Sequence, residues 1–393
     1  MAAASALLSV VDAVAAVRAP ERTSAPPALR AYCAIAMVLG FLTAGYGLYW
    51  DIQWHEFVGR ESFFIPPHIL LYTGVGVAGI AALLSIVYES VYQNPNDGSI
   101  VFLSIFRGAR GMFVAGFGIL FIVLAAPLDD YWHRLYGLDV TIWAPFHLMG
   151  LFGSLMTMVG IIYVLAGLAN ATRETAAKFM GYNAYEWLIF LQFAGLYSLT
   201  LILAQPALRL VPEIGSGVFA IYPAMLIWGV GLTLWTVAAV AYARSGDAAL
   251  ALVLVWLVRS AAFGLSVPLA VRYAVAALGL FYRSPAHVPN IGLLGLLLLL
   301  ALVPAALFVA VVTRREPLSP AGGALAGILF ALGGGVWLLA AIATRSSFSA
   351  VTMPALTPSA AFEALPLTLV LAAVGGAVAT SLGNGLGKAL EAE

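Results

Sequence analysis

Charge is what this chain has least of. Only 9% of its 393 residues are Asp, Glu, Lys or Arg, against roughly 25% in an ordinary soluble domain. The 18 basic and 18 acidic side chains cancel, so no net field favours nucleic acid, and none is expected as a partner. Cysteine is nearly absent too. Cys33 alone cannot close an internal disulfide and reads as a small buried hydrophobe. There is no C-x-x-C-H haem site, no P-loop and no G-x-G-x-x-G after a strand, so metal is the one cofactor class whose ligands the sequence offers. Histidine occurs five times.

Apolar residues fill the space that charge leaves. They make up 63% of the chain, and mean hydropathy is +1.00. This composition predicts an all-α, polytopic integral membrane bundle in a lipid bilayer, with about ten transmembrane helices at ~20 residues per crossing. The spans are expected near 29–54, 66–92, 111–133, 144–170, 185–205 and 218–243. A long seventh, from about 249, should kink or break at Pro268, and three more follow near 291–313, 321–344 and 365–383. Asn94-Pro95-Asn96-Asp97-Gly98 reads as a turn. Residues 1–28 read as a cytoplasmic leader: the basic residues Arg18 and Arg22 follow the short apolar run Leu7–Val17, the reverse of signal-peptide order.

Lys and Arg placement sets the orientation. With the N-terminus cytoplasmic, Arg18, Arg22, Arg30, Arg107, Arg110, Arg173, Lys178, Arg244, Arg314, Arg315 and Lys388 lie inside. Arg60, Arg134, Arg209, Arg283 and Arg345 lie outside, so the count is eleven against five. The expected location is a multi-pass plasma (inner) membrane, with the histidine loops on the periplasmic or outer face.

Four of the five histidines fall into a repeated frame. Asp51 and His55 lie four apart on one helix face. A loop follows, and His68 comes just after Pro66-Pro67, a pair suited to the first turn of the next helix. Asp129, His133 and, after Pro145, His147 repeat the arrangement with one more residue in the loop. The chain thus carries a tandem parallel repeat of helix hairpins, each bringing one carboxylate and two imidazoles together. Imidazole suits Cu, Zn, Fe and Ni, and three protein ligands leave coordination positions open, the pattern of catalytic metal sites. Two His and one carboxylate also describe the non-haem iron triad, so the ligands alone leave the metal open. Glu61 and Asp139, at matching places in the two loops, and Asp130 are candidates to orient the rings by hydrogen-bonding a ring N–H. Asp130 is an alternative to Asp129, which is preferred for its register with Asp51. Trp50, Trp54, Trp132 and Trp143 read as an interfacial aromatic belt. His287 reads as a loop residue. Arg259 and Arg272 are expected to face the bundle interior and pair with a carboxylate or a carbonyl.

Around these residues the chain resembles the C subunit of the copper membrane monooxygenases, the family of particulate methane monooxygenase and ammonia monooxygenase. That subunit carries D-x3-H-x12-H within W-H-x4-R-D-T-x-F-x-P-x-H. Trp54-His55, Arg60-Glu61-Ser62, Phe64, Pro66 and His68 fill the frame without a gap. The family's second site, N-x3-H-x13-H, has the spacing of Asp129, His133 and His147. This chain departs in having Asp129 for Asn and Glu61 for Asp, and the resemblance covers residues 29–245, leaving 246–393 as additional C-terminal helices. It implies copper, ahead of iron or zinc. It also implies a monooxygenase or a subunit of one, with Asp51, His55 and His68 as catalytic ligands and the Asp129 group as a second copper site. A small apolar substrate, dioxygen, a quinol or protein electron donor, companion subunits and a homo- or hetero-oligomer complete that expectation. The other readings from the sequence are a non-enzymatic copper-handling protein, weakened by the lack of Met-rich tracts, and a metal-stabilised transporter, weakened by the scarcity of charge in the late spans.

Overall fold

The computed structural model describes residues 28–59, 62–92, 98–137, 142–209, 219–284, 288–289, 299–314, 316–344 and 358–393. The expected leader, the Asn94 turn, Glu61, Asp139 and His287 lie outside these residues, apart from Ala28 at the leader's end and Gly98 at the turn's end. Among the described residues the chain is built from ten α-helices: α1 (Ala28–Phe57), α2 (Pro66–Val91), α3 (Arg110–Tyr136), α4 (Pro145–Thr172), α5 (Ala184–Arg209), α6 (Pro223–Ala243), α7 (Asp247–Ala277), α8 (Val303–Val312), α9 (Pro320–Thr344) and α10 (Pro358–Glu391). Eight of them are long and apolar enough to cross a membrane, and α8 and α9 contribute shorter apolar stretches. Large apolar side chains such as Ile80, Leu83 and Leu84 face outward on α2, as a lipid environment requires. The protein is a multi-pass membrane bundle.

Proline and glycine set where the helices begin and how closely they approach. Pro66 and Pro67 open α2, and Pro145 opens α4, where a missing amide proton costs nothing. In the α1–α2 hairpin a Cβ built on Gly40 would lie 2.6 Å from the Gly74 carbonyl oxygen. In the α3–α4 hairpin one on Gly118 would lie 2.5 Å from that of Gly153. Both helix pairs therefore touch backbone to backbone, the packing that small residues permit in membranes. α1 also packs on α4 and α7, and α5 lies against α4, α6 and α7. α10 runs along α6 and α9.

Several features differ from the sequence-based expectation. A two-stranded antiparallel hairpin, β1 (Ile100–Phe102) and β2 (Phe106–Gly108), precedes α3. Ser99 ties it to Glu89 of α2, accepting a 2.9 Å hydrogen bond from Arg30 and donating a 2.7 Å one to Glu89. Pro268 does not end α7, which runs helical from Asp247 to Ala277. α10 is longer than expected, since Asn384 and Lys388 near its end do not stop it. Trp54 leaves the aromatic belt: it is 1% exposed, packed among Val58, Ile65, Val267 and Val271.

Candidate metal centre

Each hairpin delivers its ligands from equivalent places. Asp51 and His55 stand in the last two turns of α1, and His68 is the third residue of α2. Asp129 and His133 stand in the last two turns of α3, and His147 is the third residue of α4. The turns that follow α1 and α3 contain Gly59 and Gly137, at φ +67° and +83°, conformations that glycine adopts without penalty. A side chain on Gly59 would also collide with the Arg283 guanidinium, which packs over it.

The expected ligands do converge. Nε2 of His55 and Nε2 of His68 lie 3.4 and 3.2 Å from Asp51 Oδ1. Nε2 of His133 and of His147 lie 3.3 and 3.4 Å from Asp129 Oδ2. In each group one donor atom per residue lies within 4.8 Å of the others, so either group can hold a metal ion. For ligands about 2.1 Å from an ion, a tetrahedral edge is about 3.4 Å, so the carboxylate–imidazole spacings fit.

The backbone decides which ring nitrogens are available. His68 Nδ1 is 3.2 Å from the Phe63 carbonyl oxygen, and His133 Nδ1 is 3.2 Å from that of Gly137. A carbonyl only accepts, so we assign the proton of each ring to Nδ1. Nε2 of the neutral ring then presents a lone pair to a carboxylate oxygen that is itself a bare acceptor. Asp51 Oδ1, which faces both rings of its group, is buried and takes no hydrogen bond of normal geometry; in the second group the rings face Asp129 Oδ2, and the buried oxygen without such a bond is Oδ1. A ring lone pair and a carboxylate oxygen at this range suit a cation between them, and a carbonyl behind the ring is how metal-binding histidines are usually held.

The two groups open onto one cavity of about 250 Å3, mostly apolar, which runs between α1, α2, α3, α4 and α5 and reaches Arg259 of α7.

Other expectations fare differently. Asp130 is not part of the second group: it pairs with the exposed Arg134 one turn on, at 2.6 Å, and is lost as a ligand or ring-orienting partner. Arg272 does find a carbonyl, donating from Nε to Pro289 O at 2.7 Å. Arg259 finds neither carboxylate nor carbonyl among the described residues. Its Nη1 donates to Ser198 Oγ at 2.7 Å, and its Cζ sits 4.5 Å from the Phe263 ring centre. The Phe63 and Gly137 carbonyls escaped sequence reasoning, because a main-chain acceptor has no signature in residue type. No known protein family, curated protein or solved structure matches the chain.

Proposed function

We propose that this chain is a copper-binding membrane protein that works as a copper-dependent monooxygenase, alone or as one subunit, and oxidises a small apolar substrate with dioxygen. The observation that carries the reading is the assembly of two carboxylate–bis-imidazole groups, each with one ring proton held by a backbone carbonyl, on the wall of one apolar cavity. The resemblance to the monooxygenase C subunit favours copper over iron or zinc and gives the activity its direction. On this reading α1–α2 and α3–α4 are two copies of one metal-binding unit. The N-terminus is cytoplasmic, the groups lie toward the outer face of a plasma (inner) membrane, and α8 and α9 complete a bundle of ten spans.

The protein's own residues perform three tasks. Asp51, His55 and His68 hold one ion, and Asp129, His133 and His147 hold the other. The Phe63 and Gly137 carbonyls fix the tautomers of His68 and His133, so that Nε2 is the ligating atom. Apolar side chains such as Leu71, Val75 and Ile122 line the cavity; they keep bulk water out and admit an apolar molecule from the bilayer. Copper, when bound, supplies the one-electron chemistry that dioxygen requires. Overall, dioxygen, two electrons and two protons convert substrate into its hydroxylated product and water, with the electrons supplied by a quinol or a partner protein. A copper-handling role would use the same ligands but leaves the internal apolar cavity without a task.

The test is metal analysis with spin-resonance spectroscopy on membranes and purified protein. Two coppers per chain, with hydroxylation of a small apolar substrate abolished by chelation and restored by copper, are expected. Protein that stays free of copper in copper-replete medium, or carries it without any oxygenase activity in the presence of a quinol donor, refutes the reading.

A further inference from the structure

Among the described residues Arg259 has no counter-charge, and it stands in a helix able to span the membrane. Its described contacts are neutral: the Ser198 hydroxyl and the Phe263 ring. A guanidinium has five N–H donors, and Ser198 takes one. The Nη2 end points toward Gly45 of α1, where the lack of a side chain keeps space open; a Cβ there would lie 2.9 Å from Nη2. Gly45 stands six residues before Asp51, about 9 Å along the helix axis at 1.5 Å per residue. That is too far for a salt bridge with the first metal-site carboxylate. A charge within the bilayer is expensive and marks a functional position by default.

The surroundings of Arg259 define what would compensate it. It lines the same cavity as the two metal groups, and Leu71, Val75, Ile122, Leu199 and Ile202 form the apolar wall. The cavity thus offers the Arg259 guanidinium and an apolar wall, with the carboxylate–imidazole groups and a second guanidinium, that of Arg283 beside Gly59, also on its lining.

We propose that the cavity binds a single-chain amphiphile whose oxyanion head sits on the Arg259 guanidinium and whose apolar tail points toward Asp51 and Asp129. A carboxylate or a phosphate monoester head satisfies the planar fork of donors. This goes beyond the copper reading and does not need it, because the anchoring charge belongs to the protein.

The test uses the full chain in lipid nanodiscs with octanoate, octyl phosphate and 1-octanol as probes, followed by equilibrium binding and with copper content measured in parallel. Octanoate or octyl phosphate should bind one per chain, at least tenfold more tightly than octanol. The tighter of the two identifies a carboxylate or a phosphate ester as the natural head. Arg259→Gln should reduce the anion to the level of octanol with copper content unchanged, and Arg259→Lys should keep part of the preference. Gly45→Ala, which crowds Nη2, should weaken the anion several-fold and leave octanol alone. The inference is overturned if the folded protein shows no preference for the anions, or if the preference survives Arg259→Gln. It is also overturned if Arg259→Gln releases copper without changing anion binding, since Arg259 would then serve as counter-charge to the metal groups. Protein that stays free of copper in copper-replete medium yet binds the anion through Arg259 sinks the monooxygenase reading and leaves this one standing.

Discussion

Replacing His68 with alanine separates a metal group from a chance cluster of side chains. The ring lies at the start of α2, its Nε2 3.2 Å from Asp51 Oδ1 and its Nδ1 3.2 Å from the Phe63 carbonyl. The substitution removes one of three ligands from the first group and leaves the second intact, because Asp129, His133 and His147 come from the other hairpin. Metal content should fall from two ions per chain to one. At a free metal concentration 100 times the dissociation constant, an ion stabilises the folded state by about 2.7 kcal/mol, and the variant should lose that share. Truncation of a part-buried ring also costs packing against Tyr72, whose ring centre is 5.5 Å away. The comparison is therefore made twice, with metal and with chelator. The difference between wild type and variant should shrink by about 2.7 kcal/mol when chelator is present. Atomic-emission analysis of purified protein gives the stoichiometry, and thermal unfolding in nanodiscs gives the stability. Two ions still bound in His68→Ala, or a stability gap indifferent to chelator, would refute the assignment of His68 as a ligand.

Gly74→Ala puts a Cβ 2.5 Å from the Ala44 amide nitrogen and must spread α1 from α2. A loss of about 1–3 kcal/mol is expected from overpacking, together with weaker metal binding at the first group alone, both readable by unfolding and metal titration. Asp129→Asn keeps the shape of the ligand and removes its charge; metal titration should show a weakened second site, whereas Asp129→Ala should empty it. Arg30 and Glu89 form a buried pair, Nη2 to Oε2 at 2.6 Å, with Ser85 and Ser99 also bonded to the carboxylate. Glu89→Ala should cost about 3–5 kcal/mol, and the double variant Arg30→Met, Glu89→Leu far less; an equal loss in both would show that the pair contributes through more than its buried charge.

The sequence carried the two carboxylate–imidazole clusters because their logic is local. Asp51 and His55, like Asp129 and His133, are one helical turn apart, and proline marks where the second helix begins, so spacing alone brings the side chains together. Helix positions were legible for the same reason: apolar runs bounded by polar turns locate α1 to α7 within a few residues. What could not be read depends on contacts between distant segments. Arg259 meets Ser198 from another helix, and the shared cavity exists only because the two hairpins pack side by side. Trp54 is buried by α7, more than 200 residues later, which no local rule anticipates. Asp130 misled because a carboxylate next to Asp129 has the right composition, but its neighbour Arg134 claims it. Pro268 sits inside a continuous helix, where neighbouring helices can compensate a lost backbone bond that would break an isolated one.

That both ligand clusters face a common chamber has a thermodynamic corollary. Any molecule in the chamber large enough to touch the two clusters changes its own affinity when either is filled, and by reciprocity the filling of one cluster then alters the affinity of the other. The pair would titrate as a linked system whose interdependence changes when a guest is present.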